Sequence, residues 1–120
     1  MRAWFVPQGT RIEALRATRE LAACSNCDLT SLLPYFDEVT LRAGSEVARK
    51  GHGCAEYVVV VSGRLEATTG ALEAGDSLGW RAMWERADNE ASVVVVKDAR
   101  LLVMGHSQFR AVKALAHPPD

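Results

Sequence analysis

The sequence predicts a mainly β fold, a β-roll or sandwich with flanking helices at both ends. Three observations support it. The run EYVVVVS at residues 56–62 is rich in β-branched residues, as buried strands are. Several other short segments alternate polar and apolar residues between glycine-containing turns. Helical spacing of apolar residues appears near the two termini, and in one short segment between strands.

The first element is an arm over residues 1–9, which carries the large apolar side chains of Trp4 and Phe5. Apolar groups of this size are expected to dock, either on the domain's own surface or on a partner or second copy. The remaining residues, 10–120, are predicted to form a single domain. We divide it into helices at 10–36, a β-roll at 37–105 and a C-terminal helix at 106–116.

Two helices are predicted before the first strand. Apolar positions at helical spacing predict the first over residues 10–23, with Thr10 as N-cap and Glu13 completing a capping box. The second is a short helix over residues 29–33, capped by Asp28 and stopped at the following proline.

The strands follow in short pieces. Alternation predicts strands at 38–42 and 46–49, then the strong strand at 56–62. A hairpin turn at Ser62-Gly63 leads into a strand at 64–68.

The last part of the chain has two predicted strands and a helix. The valine run 93–96 is predicted to be a buried core strand, with Trp84 also in the core, so that Val94→Asp would unfold the domain. Lys97-Asp98 is interpreted as a turn into a final strand at 100–104. Ser107 is the expected cap of the C-terminal helix.

Composition excludes several protein classes. The chain has 120 residues, 48% hydrophobic and 24% charged, with net charge −1. This balance argues against a general nucleic-acid binder, which carries a basic face. No apolar run approaches the ~20 residues that span a bilayer, and the N-terminus lacks the apolar length of a signal peptide. The three cysteines give no disulfide framework. We therefore expect a cytoplasmic protein.

The central stretch, residues 72–96, has the order turn, short strand, glycine, helix. Gly75-Asp76 suits a tight turn, and Gly79 precedes helix-forming residues that begin at Arg81. A helix start leaves backbone N–H groups without intrahelical partners, which makes it an anion-binding arrangement. We expect the amides of Ala82 and Met83 to point into such a site.

This stretch resembles the phosphate-binding cassette of cyclic nucleotide-binding domains, such as those of the catabolite activator protein and of protein kinase A regulatory subunits. The matching segments are Ala74-Gly75-Asp76, Leu78-Gly79, Ala82-Met83 and Ala91-Ser92-Val93-Val94. The resemblance, which covers about residues 30–115, implies a double-stranded β-roll, or jelly roll. It also implies a ligand site formed by Gly79, Trp80, Arg81, Ala82, Met83, Asn89, Glu90, Ala91 and Ser92.

Two positions depart from the family pattern. Trp80 stands where the family's glutamate contacts the ribose, and Asn89 stands where its arginine pairs with the cyclic phosphate. Glu90 beside Asn89 would repel a phosphate. Because a cyclic phosphate needs a cation in a partly dry pocket, the sequence predicts a degenerate site with weak or no cyclic-nucleotide binding.

The sequence leaves alternative functions open. The first is a non-enzymatic regulatory or sensor domain that acts through a protein partner or another ligand. The second is a genuine cyclic AMP or cyclic GMP domain in which Arg81 or Arg86 replaces the missing arginine. An enzyme is not expected, since neither a nucleophile elbow nor clustered strand histidines are present.

Trp80 and the pair Cys24 and Cys27 each have a structural and a functional interpretation. Trp80 either stacks on a flat ligand or fills the space itself, and the second interpretation is favoured because ribose partners are missing nearby. The pair Cys24 and Cys27 has metal or redox spacing, but paired ligands to complete a zinc site are missing. No cofactor is predicted. We also expect no DNA-binding domain, and the sequence leaves the oligomeric state open.

Overall fold

The computed structural model describes residues 8–116. The helices are α1 Gln8–Ala17, α2 Asn26–Leu32, α3 Trp80–Glu85 and α4 His106–Leu115, with a 3-10 turn at Leu33–Tyr35. The strands are β1 Asp37–Leu41, β2 Glu46–Ala48, β3 Glu56–Ala67, β4 Gly70–Leu72, β5 Ser77–Leu78 and β6 Val93–Gly105. This order confirms the predicted mainly β fold with flanking helices. Trp4 and Phe5 lie outside the described residues, and Gln8 and Gly9 belong to α1 rather than to an arm.

All six strands belong to one antiparallel sheet, which is centred on two long strands. β3 and β6 pair from Glu56↔Gly105 to Ala67↔Val93. The strand order is β1-β6-β3-β4, and the short strands β2 and β5 pair with β6 and β3 respectively. Every other strand is therefore attached to the β3–β6 ribbon.

Both faces of this ribbon are covered along residues 57–60 of β3, which explains the uninterrupted apolar run there. On one face Tyr57 and Val59 pack with the helices, in a cluster that we call the helix-side core. On the other face Val58 and Val60 pack with Leu65, Val95 and Leu101, in a cluster that we call the roll core. Successive strand residues point to opposite faces, so a strand that is buried on both sides has no polar alternation to display.

Two predicted turns are wrong. β3 runs through Ser62-Gly63, and β6 runs through Lys97-Asp98, without reversing. Gly63 has φ 91° and the pairing register shifts around it, so it forms a bulge opposite β6. A Cβ on Gly63 would lie 2.4 Å from the backbone oxygen of Asp98. The actual chain reversal comes after Ala67.

The helix boundaries also differ from the prediction. Thr10 lies inside α1, which ends at Ala17 instead of continuing to residue 23. Ser25, not Asp28, caps α2, because its hydroxyl accepts a hydrogen bond from the Asp28 N–H at 3.0 Å. The N-cap of α4 is Gly105, and Ser107 lies within the helix. Such side-chain caps compete over one turn, so sequence spacing places them only to within a few residues.

The prediction that the whole valine run is buried is wrong for alternate residues. Val93 and Val95 are each 1% exposed, whereas Val94 and Val96 are 41% and 39% exposed. Trp84 is half-buried and packs against the helix-side core. Because Val94 faces outward, the expectation that Val94→Asp unfolds the domain no longer holds.

The two faces of β6 predict opposite outcomes for one substitution. Val95→Asp should strongly lower the melting temperature, since an unpaired carboxylate in the roll core costs about 3–5 kcal/mol, a large part of a total stability of ~5–15 kcal/mol. Val94→Asp should remain folded and lose ~0.2–1 kcal/mol through repulsion from its cross-strand neighbours Glu46 and Glu66. Thermal melts followed by circular dichroism test this. Equal melting temperatures for the two variants would contradict the register.

Candidate ligand-binding site

The site is built where β5 passes into α3. Gly79 links them with φ 93° and ψ 1°, a left-handed conformation that favours glycine. A Cβ at this position would also lie 2.6 Å from the backbone oxygen of Glu56 on β3. Both constraints fix glycine here, so the start of α3 is held directly against the central ribbon.

The start of α3 borders a cavity of about 780 Å³ between the helices and the roll. Seven of the nine predicted site residues line it, namely Gly79, Trp80, Arg81, Ala82, Asn89, Glu90 and Ala91. The structure therefore brings together residues from α3 and from the loop before β6, which are separate in the sequence.

Met83 and Ser92 do not belong to the cavity lining. Met83 is fully buried in the helix-side core, and its N–H donates to the Gly79 carbonyl oxygen at 2.9 Å. The expectation that this amide points into the site is therefore wrong. The Ser92 hydroxyl accepts a hydrogen bond from the Lys50 N–H at 3.0 Å, which ties β6 to the loop after β2.

Trp80 both packs against the core and forms part of the cavity wall. Its ring lies 5.4 Å from that of Tyr57, 5.5 Å from that of Phe109 and 5.8 Å from that of Trp84, measured between centroids. These tilted and edge-on arrangements are the favourable ones for aromatic pairs. Trp80 is half-buried, so its indole packs against the helix-side core while the residue also lines the cavity.

Asn89 has a structural role that the sequence did not indicate. Its side-chain amide donates to the Arg49 carbonyl oxygen at 3.1 Å, and its backbone N–H donates to the His52 carbonyl oxygen at 2.7 Å. The Gly51 N–H donates in turn to the Asn89 carbonyl oxygen at 3.1 Å. Asn89 therefore joins the glycine-rich loop after β2 to the loop before β6.

The two candidate replacement arginines differ in position. Arg81 lines the cavity, and its guanidinium lies 3.1 Å from the Glu85 carboxylate, one helical turn along α3. Arg86 is the C-cap of α3 with φ 52° and is exposed. The described residues that line the cavity do not include Arg86.

Sequence reasoning missed the helical side of the cavity. Arg19, Glu20 and Asp28 line it from the segments after α1 and within α2, and Leu115 lines it from the end of α4. Glu20 accepts a hydrogen bond from the Ser77 hydroxyl of β5, although the two residues are far apart in sequence. Local pattern carries no signal for such a long-range contact.

The described cysteines and histidines do not form a metal site. Within residues 8–116, no group of three or more potential ligands is close enough to hold a metal ion. Burial, and secondarily the charge of Asp28, raises the pKa of the Cys24 thiol, which disfavours the reactive thiolate. The His106 Nε2 lies 2.9 Å from the Cys54 carbonyl oxygen, so this residue links α4 to the segment before β3.

The comparisons with known proteins identify the fold. No family model and no curated protein sequence matches the chain. Among solved structures, the regulatory domain of Toxoplasma gondii PKA, crystallised with cAMP, superposes with a TM-score of 0.81 at 20% identity over 92% of this chain and 47% of that one. The chain has the cyclic nucleotide-binding domain fold. This confirms the predicted β-roll.

Two further structures have the same fold over most of their length. A cyclic nucleotide-binding-like protein from Brucella abortus has a TM-score of 0.71 at 21% identity, covering 87% of this chain and 97% of that one. The N-terminal domain of a Streptomyces coelicolor transcriptional regulator has a TM-score of 0.74 at 19% identity, covering 84% and 78%. The chain spans about half the length of the Toxoplasma regulatory domain, as the 47% coverage states.

Among the helices of the described residues, none has the length and apolar character needed to cross a bilayer.

The packing of Trp80 predicts a measurable loss of stability on its removal. Trp80→Ala should lower the free energy of unfolding by about 3 kcal/mol, because it deletes three aromatic contacts and leaves a void beside Tyr57. The control is Tyr35→Ala, a ring that is 47% exposed, which should stay within ~0.5 kcal/mol of the parent. Urea denaturation measures both. A Trp80→Ala variant as stable as the parent would show that the indole belongs to the cavity and not to the core.

Proposed function

We propose that the protein is a non-enzymatic regulatory or sensor domain of the cyclic nucleotide-binding fold whose cavity does not take a cyclic nucleotide at physiological concentrations. The observation that carries this proposal is the charge of the cavity wall. Three carboxylates line the cavity, those of Glu20, Asp28 and Glu90, against the two guanidinium groups of Arg19 and Arg81. The formal charge of these groups is −1, the wrong sign for an anion.

The cassette itself supports the same conclusion. Asn89 is neutral, and its amide is already hydrogen-bonded to the Arg49 carbonyl oxygen. The neighbouring Glu90 is exposed on the cavity wall. Loss of a hydrogen-bonded charge partner commonly costs ~2–5 kcal/mol. At about 1.4 kcal/mol per decade, this moves a micromolar dissociation constant to millimolar or beyond.

The regulatory character rests on the solved neighbours. They are regulatory domains and regulators rather than enzymes, such as the Toxoplasma regulatory domain and the Streptomyces transcriptional regulator. A domain that keeps the fold and a cavity, but lacks the cation for phosphate, is suited to another small ligand or to a protein partner. We place such a function in the cytoplasm.

A second candidate is a genuine cyclic AMP or cyclic GMP domain, and one observation favours it. Arg81 lines the cavity at the start of α3, so it is the better placed of the two arginines to meet a phosphate there. Binding would have to exchange the Glu85 contact at 3.1 Å for the phosphate. Arg86 is a poorer substitute, because its position at the C-cap of α3 lies at the far end of the helix.

Calorimetric titration separates the two candidates. The parent protein should give no heat of binding with cyclic AMP or cyclic GMP in the micromolar range. The reason is that Asn89 and Glu90 occupy positions where binding of a phosphate requires a cation. The Toxoplasma regulatory domain, which was crystallised with cAMP, serves as the positive control. A micromolar dissociation constant that is lost in Arg81→Gln and kept in Arg86→Gln would establish the second candidate instead.

Restoring the two missing side chains should create cyclic-nucleotide affinity. In Trp80→Glu with Asn89→Arg, the carboxylate offers an acceptor to the ribose hydroxyl and the guanidinium a fork to the phosphate. Glu90→Ala is added as a third change, since the Glu90 carboxylate would compete for the new guanidinium. The double or triple variant should gain melting temperature with cyclic AMP, whereas the parent should not.

The structure adds a condition to this experiment. Trp80→Glu removes ring contacts, and Asn89→Arg removes the hydrogen bond to the Arg49 carbonyl oxygen, so both variants start less stable than the parent. The melting temperature of each variant without nucleotide is therefore the reference for its melting temperature with nucleotide. If the combined variants fold cooperatively and their melting temperature still does not change with cyclic AMP, then Trp80 and Asn89 are not the residues that block binding.

A further inference from the structure

The most distinctive feature of the cavity is a negative wall on its helical side. Glu20 and Asp28 both line the cavity and both are half-buried, unlike the exposed Glu90. Among the contacts of the described residues, neither carboxylate has a cation within ion-pair distance. Partly buried charges are screened less by solvent than exposed ones. The two lining cations, Arg19 and Arg81, are both exposed, so their charges are screened more than those of Glu20 and Asp28.

Two groups near these carboxylates have raised pKa values. Burial, and after it the charge of Glu20, raises the pKa of the Tyr57 hydroxyl well above its usual value. Burial, and after it the charge of Asp28, raises the pKa of the Cys24 thiol. In both groups burial is the larger cause, and the neighbouring carboxylate adds to it. Glu20 therefore lies near the Tyr57 hydroxyl and Asp28 near the Cys24 thiol.

The rest of the lining is apolar. Trp80 presents part of its indole, and Leu72, Leu78 and Leu115 add aliphatic surface from β4, β5 and α4. A cation near an indole face is attracted by the ring quadrupole, and an apolar body gains from contact with these side chains. An ammonium group carries three hydrogen-bond donors and no acceptor, which suits two carboxylates.

We propose that the cavity binds a small organic cation, an amine with an apolar or aromatic body, whose ammonium group is held by Glu20 and Asp28 while its body lies against Trp80. This inference rests on the proposed function, because it assigns a ligand class to the same cavity from which cyclic nucleotides are excluded. Glu20 also accepts the hydrogen bond of the Ser77 hydroxyl. Occupancy of the cavity would therefore act directly on the contact that joins the segment after α1 to β5.

The test compares three probes that share one phenethyl body and differ in the head group. Phenethylamine is a cation, phenethyl alcohol is neutral and hydrocinnamate is an anion. Each is titrated into the full chain in low-salt buffer and followed by NMR chemical shifts of the lining residues. Affinity should decrease in the order amine, alcohol, carboxylate, with the largest shifts at Trp80, Leu78 and Ala67.

Variants of the two carboxylates locate the interaction. Glu20→Gln with Asp28→Asn should weaken phenethylamine binding at least about tenfold, the effect of one lost hydrogen bond to a charged group, and should leave the alcohol nearly unchanged. Both substitutions preserve side-chain shape, and the Gln carbonyl can still accept from the Ser77 hydroxyl. Glu13→Gln, an exposed change on α1 outside the described lining, is the matched control and should have no effect.

The outcomes are separable. Equal or tighter binding of hydrocinnamate, unchanged amine affinity in the double variant, or no lining shifts with phenethylamine would each overturn the cation inference while leaving the proposed function in place. Micromolar binding of cyclic AMP to the same sample would overturn the proposed function instead. A cooperative thermal melt of each variant shows that lost affinity is not lost folding.

Discussion

The pairing of β3 with β6 is the contact on which the other elements depend. The two strands pair along nearly their whole length, from Glu56↔Gly105 to Ala67↔Val93. The ribbon holds the helix-side core on one face and the roll core on the other. A long antiparallel pair is compatible with curvature only if it contains irregularities, and Gly63 supplies one by adopting a positive φ against β6.

The candidate site is held to this ribbon by a close backbone approach at Gly79 and by a side-chain contact of His106. Gly79 lies so near the Glu56 carbonyl oxygen that a Cβ would clash. α4 is tied to the segment before β3 through the His106 contact with the Cys54 carbonyl oxygen. The starts of α3 and α4 are therefore both fixed near the Glu56 end of β3, and Leu115 at the end of α4 lines the cavity together with the start of α3.

Two residues of the central stretch, Trp80 and Asn89, make structural contacts. The Trp80 indole packs against Tyr57 and Phe109. The Asn89 amide joins two loops through the Arg49 carbonyl oxygen. The polar character of the cavity then comes from the helical side, where Glu20 and Asp28 are half-buried. These two carboxylates line the cavity opposite the stretch that resembles a phosphate-binding cassette, and they come from a different part of the chain.

The sequence by itself determined the mainly β fold with flanking helices and the glycine that opens α3. These features depend on local backbone preferences and on residue identity, which a short window contains. Tertiary structure alone decided that Ser62-Gly63 is a bulge, because a glycine with positive φ serves a turn or a bulge equally well until its partner strand is present.

Tertiary structure also decided which of the valines at 93–96 are buried. Successive strand residues point to opposite faces, but a run of identical apolar residues does not show which face is covered. It decided, finally, that Glu20 and Asp28 meet Trp80 across one cavity. Such contacts join distant segments, and their formation depends on how the helices pack against the ribbon, which no local pattern records.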